Sequence, residues 1–195
     1  MIQILPIKNI PKIWISKKKL SLTTYEIFYK QPNSILIKSD NLIFKFCKIQ
    51  KPKDLIRKYF FSQAKREFYG AKILNSIDIK TPKPINYAIS LNPFSKIESL
   101  YVMEYLKNSI EVSKIINEEI LNLVIIDLQK MIKNRIIFKD LRFHNILYKE
   151  NSIYWIDTDI KIIKDPQEYK TLFIKSLQKL TKNDKIKEKI LQSLF

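Results

Sequence analysis

Residues 20–49 carry the hydrophobic pattern of β-strands. The runs "LSLTTYEIFYK", "SILIKSD" and "NLIFKFCKI" are rich in β-branched and aromatic residues, and Asp40–Asn41 is a suitable tight turn between the last two. Two further strand-like runs, "INYAIS" and "IESLYVMEYL", follow later and are separated by "LNPFSK". The first half of the chain is therefore expected to be rich in β-structure.

Apolar residues spaced three to four apart predict helices elsewhere. One helix is predicted over about residues 56–75, and its buried face would contain Phe61, Ala64, Phe68, Ala71 and Leu74. A second is predicted over about 117–134, and its buried face would contain Leu121, Val124, Leu128 and Met131. The amphipathic, basic C-terminal segment is also expected to be helical. The resulting order of strands, helix, strands, helix, short hairpin and helix predicts an α+β fold.

Composition narrows the class of protein. With 195 residues, 46% of them hydrophobic, the chain can bury a substantial core, which argues against disorder. No apolar run approaches the roughly 18 residues that span a bilayer, and the N-terminus does not resemble a signal peptide. The single cysteine, Cys47, excludes an internal disulfide and a cysteine-based metal cluster, and is expected to be a small buried residue on its strand. We expect a cytoplasmic protein.

The net charge of +17 is unevenly distributed. Residues 1–60 hold 13 Lys/Arg against 3 Asp/Glu, residues 61–159 hold 14 against 12, and residues 160–195 hold 9 against 4. Basic ends around a near-neutral middle would attract an anionic partner such as a lipid headgroup, a phosphorylated glycan or a nucleic acid. The alternative is compositional, since abundant Ile, Lys and Asn are typical of an AT-rich genome.

The segment "FKDLRFHNILYKENSIYWIDTD", residues 138–159, concentrates polar oxygens beside apolar runs. Asp140 and Asn145 fall in a loop after the second helix, and Asp157 stands where the second strand of a short predicted hairpin ends. Phosphoryl transfer needs a carboxylate beside the attacking hydroxyl, and an amide oxygen and a second carboxylate to hold Mg²⁺ on the phosphates. These three residues supply that set.

"KDLRFHNIL" followed by "WIDTD" resembles the catalytic loop and metal-binding aspartate of the protein-kinase-like superfamily. The resemblance spans about residues 20–160. It implies a two-lobe kinase-like fold with a minimal C-terminal lobe, formed as one domain over 1–195. The β-rich N-terminal lobe would extend to about residue 104, and a short helical lobe would follow from about 105.

Other parts of the chain match the same superfamily in the right order. Lys45 in "LIFKFC" lies where the family has its phosphate-pairing lysine, although Lys38 is a competitor, and Glu67 in "AKREFYGAKIL" lies where the glutamate partner belongs. "LYVMEYL" resembles the strand and hinge that receive adenine, with Met103 as gatekeeper and Glu104–Tyr105 as hinge. The short activation region and "KREFYGAKIL…TPKPINYAIS" look most like the bacterial lipopolysaccharide core kinases, the Kdo and heptose kinase group.

The resemblance implies a role for each matched residue and two cofactors, ATP and Mg²⁺. Asp140 would be the catalytic base, and Arg142 would neutralise charge on the transferring phosphoryl group. Asn145 and Asp157 would be the Mg²⁺ ligands. Lys45 would contact the nucleotide phosphates while paired with Glu67.

The chain departs from the family pattern in several places. Its only glycine, Gly70, lies in a predicted helix, so no glycine-rich loop covers the phosphates; "YKQPNS" (residues 29–34) is the candidate substitute. Phe138 replaces the usual histidine before the catalytic loop, and Thr158–Asp159 replace Phe–Gly after the metal ligand. Asp159 is either a second acidic ligand or a solvated turn residue. His144 is expected to orient the loop or contact substrate.

Three functions remain open on sequence alone. The leading one is a kinase that phosphorylates a sugar hydroxyl of an anionic, lipid-linked glycan of the lipopolysaccharide core. Its partners would be that glycolipid and an anionic membrane surface, with peripheral attachment to the inner membrane and no nucleic acid. The second is a small atypical protein kinase or small-molecule phosphotransferase. The third is a degenerate kinase fold that serves as a basic binding module.

Overall fold

The computed structural model describes residues 26–30, 32–52, 54–90 and 96–194 of the chain. These residues form two compact units. The first holds the described residues up to Ala71 together with Pro82–Lys107, and the second holds Lys72–Thr81 and the residues from Asn108 onward. Within the described ranges no helix is both long and apolar enough to cross a bilayer. That the two units act as the lobes of one domain, divided near residue 104, stays a prediction.

An antiparallel five-stranded sheet forms the centre of the first unit. Its strands are β1 (Glu26–Lys30), β2 (Ser34–Ser39), β3 (Leu42–Lys48), β4 (Pro84–Ile89) and β5 (Ile97–Glu104). They lie in the order β1-β2-β3-β5-β4. The predicted turn between β2 and β3 is confirmed, because Asp40 adopts a φ of 51°, which aspartate tolerates better than most residues. Residues 20–25, Gln31 and residues 91–95 of the predicted segments lie outside the described residues.

Side chains of β3 alternate between two packed faces, as expected for a central strand. Phe44 and Phe46 point to one face and pack with Leu100 and Val102 of β5. Ile43 points to the other face, which packs against a helix. Lys45 is two residues further along the same strand and therefore shares the helix-covered face with Ile43.

The helix predicted over residues 56–75 is in fact two helices, α1 (Asp54–Phe61) and α2 (Gln63–Ser76). The amide of Gln63 donates to the Glu98 carboxylate at 3.1 Å, and the amide of Ala64 donates to the Ser99 hydroxyl at 3.2 Å. Because these β5 side chains cap the first amides of α2, the chain begins a new helix after Ser62. A hydrophobic period alone does not reveal such a cap.

The predicted buried face of this region is confirmed for α2 and wrong for α1. Ala64, Phe68, Ala71 and Leu74 are buried, whereas the side chain of Phe61 is 64% exposed. Phe61 is the last residue of α1. Because the helix is interrupted at Ser62, the Phe61 side chain does not lie on the buried face of α2. The three-to-four spacing therefore holds only within each separate helix.

The second unit combines the end of α2 with four further helices and short strands. Its elements are β6 (Ile110–Glu111), α3 (Val112–Ile115), α4 (Glu118–Lys133), β7 (Ile136–Phe138), β8 (Ile146–Lys149), β9 (Ser152–Trp155), β10 (Ile160–Ile162), α5 (Pro166–Leu177) and α6 (Asp184–Leu194). The second predicted helix, the short hairpin and the helical C-terminal segment are thus confirmed.

Helix α4 and the β8–β9 hairpin supply much of the core of the second unit. The predicted apolar face of α4 is buried, and Trp155 at the end of β9 is buried with it. Asn117 caps α4, since its side chain accepts a hydrogen bond from the Ile120 amide at 2.9 Å. The hairpin turns at Glu150 and Asn151, which both have positive φ angles, of 48° and 55°. This packing holds the segments on either side of the hairpin in fixed positions.

Candidate active site

Lys45 and Glu67 form a buried ion pair in the first unit. The Lys45 Nζ atom lies 2.9 Å from both carboxylate oxygens of Glu67. Lys45 projects from the centre of β3, where its neighbours across the sheet are Leu36 and Tyr101. Glu67 projects from α2 onto the same face, and Gln63 donates a second hydrogen bond to it at 2.8 Å. The pairing predicted from the sequence is present.

Lys38, the alternative candidate for the phosphate-binding lysine, does not lie in this environment. Lys38 lies on the neighbouring strand β2, and its ammonium sits 4.6 Å from the centroid of the Tyr105 ring in a cation–π contact. Lys45 is almost fully buried, so its charge depends on the contact with the buried Glu67 carboxylate. The choice of Lys45 over Lys38 as the phosphate-binding lysine stays a prediction.

The residues predicted to receive a nucleotide base lie at the end of β5. Met103 is buried and pairs with Ile43 of β3. Glu104 is exposed, and its backbone amide donates to the Lys83 carbonyl at 3.0 Å. The amide of Tyr105 donates to the Asn41 carbonyl at 2.8 Å. Since both amides are engaged within the protein, a base bound here would have to use other backbone groups.

Asp140 and Asn145 are connected within one loop of the second unit. This loop follows β7 and ends in a short 3-10 turn, Phe143–Asn145. The Asn145 Nδ2 atom donates to the Asp140 carbonyl at 2.9 Å and lies 3.5 Å from the Asp140 carboxylate. The Asp140 carboxylate also pairs with the Arg142 Nε atom at 2.9 Å. Arg142, predicted to contact the transferring phosphoryl group, thus contacts the predicted base.

Asp157 is placed beside Asn145 by the hairpin register. Ile146 pairs with Trp155 across the hairpin, and the Ile156 amide donates to the Asn145 carbonyl at 2.9 Å. Asp157 follows directly, with a φ of 55°. Aspartate tolerates this left-handed conformation better than most residues.

Asp159 and His144, whose roles the sequence leaves open, each have a defined partner. The Asp159 carboxylate pairs with the Lys139 Nζ atom at 2.6 Å, and the Lys139 amide donates to the Asp159 carbonyl at 3.0 Å. The exposed imidazole of His144 hydrogen-bonds the Glu111 carboxylate. These contacts tie both residues to the loop around the predicted site.

Sequence reasoning missed Asp127 and Glu111. Asp127 lies among the buried residues of α4 and accepts a hydrogen bond from the Trp155 indole at 2.8 Å. Burial raises the pKa of Asp127, although Trp155 and Lys130 act in the opposite direction. Partial burial would likewise raise the pKa of Glu111, but bonds from Ser113 and His144 lower it overall. In the sequence, Asp127 occupies a position of the apolar repeat of α4, and this position indicated that the carboxylate would be buried. No sequence pattern marks Glu111.

The donor set of the second unit fits a magnesium ion. Asn145 uses its amide nitrogen toward Asp140, which leaves its side-chain oxygen as the acceptor. Together with the Asp157 carboxylate this offers two hard oxygen ligands, and Mg²⁺ is commonly held by one or two carboxylates plus substrate phosphates. Among the described residues no group of three or more His, Cys, Asp or Glu could hold a metal alone. Phosphate oxygens of a bound substrate would add further ligands to such an ion.

Three solved structures resemble this chain in fold. WaaP in complex with acyl carrier protein matches with a TM-score of 0.60 at 11% identity, over 88% of this chain and 78% of that one. The GDP and kanamycin complex of APH(2")-IIia matches with a TM-score of 0.59 at 11% identity, over 90% and 78%. WbdD matches with a TM-score of 0.54 at 16% identity, over 77% of this chain and 36% of WbdD.

These likenesses confirm the predicted α+β, protein-kinase-like fold, while the lipopolysaccharide kinase subgroup stays a prediction. No curated protein matches the chain in sequence. The model of the RIO domain matches residues 19–183, which is most of the chain. The chain therefore belongs to the RIO domain family.

Proposed function

We propose that this protein transfers the γ-phosphoryl group of ATP to an alcohol hydroxyl in a Mg²⁺-dependent reaction. The family and the fold support a phosphotransferase of the kinase type. The observation that carries the proposal is the buried pair of Lys45 and Glu67. A protein that only bound an anion would gain nothing from a lysine buried against a carboxylate, because an exposed lysine binds anions without the desolvation cost.

Within this proposal the first unit holds the nucleotide. Lys45 contributes a cation to the α- and β-phosphates, and Glu67 fixes its ammonium at 2.9 Å. Gln63 holds Glu67 in turn, so the position of the ammonium is set by two side chains of α2. Such fixed positions matter because phosphoryl transfer depends on positioning and electrostatic stabilisation more than on covalent chemistry.

The second unit supplies the groups for the transfer step. Asp140 accepts the proton of the attacking hydroxyl, and Arg142 keeps the carboxylate oriented through its contact at 2.9 Å. Asn145 and Asp157 would hold Mg²⁺. When bound, the ion neutralises charge on the phosphates. Asn145 also links the proposed catalytic base to the proposed metal site, since its amide nitrogen donates to the Asp140 carbonyl while its oxygen is left for the metal.

For the acceptor we propose a sugar hydroxyl of an anionic, lipid-linked glycan, of the kind found in the lipopolysaccharide core. Two observations support this choice. The fold resembles that of WaaP, and the basic ends of the chain suit an acidic acceptor. A cytoplasmic protein attached peripherally to the inner membrane would meet such an acceptor.

A second acceptor class is favoured by a different observation. The family model that matches residues 19–183 is that of the RIO domain, an atypical kinase of the protein-kinase-like superfamily. A serine or threonine hydroxyl of a protein is therefore the alternative acceptor. The chemistry assigned to Asp140 and Lys45 would be the same in both cases.

Phosphate transfer from labelled ATP to a panel of acceptors tests the proposal. The panel contains dephosphorylated core oligosaccharides, a basic protein mixture and an aminoglycoside. Labelling of the oligosaccharides that Asp140→Ala abolishes is the expected result. Labelling of protein alone would replace the glycan by the second acceptor class, and no labelling of any acceptor by a protein that does bind ATP would contradict kinase activity on these three classes.

A further inference from the structure

Helix α1 of the first unit exposes its apolar side chains. Ile56 is 73% exposed and Phe60 is 64% exposed, and Tyr59 lies on the same side of the helix because these positions are spaced three and four residues apart. Phe61, at the end of the helix, is 64% exposed as well. We refer to Ile56, Tyr59, Phe60 and Phe61 as the α1 patch. Four large apolar side chains exposed together indicate an interaction site rather than isolated surface residues.

The orientation of α1 is the reverse of that of an ordinary surface helix. Its Lys58 side chain is fully buried, while the apolar residues on either side of Lys58 are exposed. Burial lowers the pKa of Lys58, and the carboxylate of Glu98 on β5 acts in the opposite direction. Burying an ammonium group while exposing isoleucine and phenylalanine is unfavourable in water. The exposure of large apolar side chains is therefore the unusual feature of this helix.

Cationic side chains border the α1 patch. The Lys65 Nζ atom donates to the Phe60 carbonyl at 3.3 Å, and the Arg66 guanidinium donates to the Phe61 carbonyl. Both cations are thus held at the C-terminal end of α1, next to exposed aromatic side chains. Aromatic and aliphatic residues flanked by Lys and Arg are typical of helices that lie in the interface of an anionic membrane.

We propose that the α1 patch docks onto an anionic lipid bilayer, with Ile56 and Phe60 entering the boundary between headgroups and acyl chains. Lys65 and Arg66 would contact the lipid phosphates. Charge complementarity favours an anionic bilayer over the N-terminal segment of the same chain. Residues 1–25 carry five lysines and no acidic residue, so they would be repelled by the cations that border the α1 patch. Charge complementarity also disfavours a second copy, because each copy has a net charge of +17. The proposal does not depend on phosphoryl transfer.

Vesicle binding by the full chain tests the proposal. The probes are phosphatidylcholine vesicles with and without phosphatidylglycerol, and the partition coefficient is measured by co-sedimentation. The test variant is Ile56→Ser/Phe60→Ser, and the matched control is Ile126→Ser/Ile162→Ser, which removes two exposed apolar residues of the second unit. We expect binding to anionic vesicles only, a loss of about tenfold or more in the test variant, and no loss in the control.

A fluorescent reporter keeps the test independent of folding defects. Phe60→Trp adds an indole to the α1 patch. The wild-type protein, whose two tryptophans are Trp14 and Trp155, gives the background quenching. Brominated anionic lipids should quench the new indole strongly. The proposal is overturned if Phe60→Trp shows no added quenching, or if Ile56→Ser/Phe60→Ser binds vesicles as wild type does. It is equally overturned if the double substitution abolishes self-association or capture of an acidic protein while vesicle binding is unchanged.

Discussion

The Lys45 Nζ atom lies equally close, at 2.9 Å, to both carboxylate oxygens of Glu67. This two-point contact fixes an ammonium group on the helix-covered face of the central strand β3. It also places two charges where water has little access, since Glu67 is buried and Lys45 nearly so. The stability of the first unit and the proposed chemistry therefore depend on the same pair.

The pair predicts a characteristic pattern in a double-mutant cycle. Lys45→Met removes the cation that contacts the buried Glu67 carboxylate, and Glu67→Leu removes the carboxylate that contacts the buried Lys45 ammonium, so each should lower the free energy of unfolding by about 3–5 kcal/mol. The double variant Lys45→Met/Glu67→Leu removes both charges and should recover much of that loss. Urea unfolding measures the stabilities, and ATP binding should be lost in all three. Additive destabilisation, or ATP binding by the double variant, would contradict the account.

Asp140→Ala should abolish transfer and leave nucleotide binding intact. Loss of a catalytic base lowers kcat by about 10²–10⁴-fold. The loop should keep its shape, because Asn145 bonds the backbone carbonyl of Asp140, which the substitution retains. Steady-state kinetics with the best acceptor measures kcat, and Asp184→Ala, an exposed aspartate of α6, is the control. Wild-type kcat in Asp140→Ala would remove Asp140 from the mechanism.

Asp127 should make stability depend on pH. Burial raises its pKa above the ordinary value of 3.8. A carboxyl group with a raised folded-state pKa contributes stability that is complete below pH 3.8 and is lost as pH rises through the raised value. Asp127→Asn does not titrate and keeps an oxygen for the Trp155 indole. The unfolding free energy of wild type relative to this variant should therefore fall as pH rises, as measured by urea denaturation. Parallel pH profiles would show that Asp127 is not perturbed.

Cys47 should be unreactive in the folded protein. It lies fully buried between β2 and β5, and burial together with the nearby Glu67 carboxylate raises its pKa. Because a thiolate is the reactive form, alkylation should require unfolding and be slower than for the denatured chain by about a thousandfold or more. Mass spectrometry of iodoacetamide labelling, with a urea-denatured sample as reference, measures this. Labelling at the denatured rate would mean that the sheet is not closed around Cys47.

The elements that the sequence predicted correctly have strong local signals. The β2–β3 turn at Asp40, the face of α4 and the β8–β9 hairpin depend on residues close together in the chain. Lys45 and Glu67 were paired by resemblance, and the geometry of the sheet accounts for the contact, because Lys45 shares a face with Ile43 and that face packs against α2. Here the family pattern and the packing agree.

The features that the sequence missed depend on contacts between distant residues. At the break after Ser62, the Ser62 hydroxyl accepts a hydrogen bond from the Lys65 amide at 3.3 Å, and the distant residues Glu98 and Ser99 of β5 cap the first two amides of α2. Without that cap the helical period continues, which is why Phe61 was expected to be buried. The reversed orientation of α1 likewise buries Lys58, and Glu98 of β5, distant in sequence, favours the charged form of that lysine. A one-dimensional hydrophobic pattern contains no information on either contact.

Calorimetric titration of ATP with and without Mg²⁺ tests the central claim most directly. The variant is Asp157→Asn, because asparagine tolerates the left-handed backbone of residue 157, where φ is 55°, while lacking the charge that holds the metal. Asp184→Asn is the matched control. We predict that wild type and Asp184→Asn bind ATP more tightly with Mg²⁺ and that Asp157→Asn loses this dependence. No binding by wild type at millimolar ATP, or unchanged Mg²⁺ dependence in Asp157→Asn, would contradict the account.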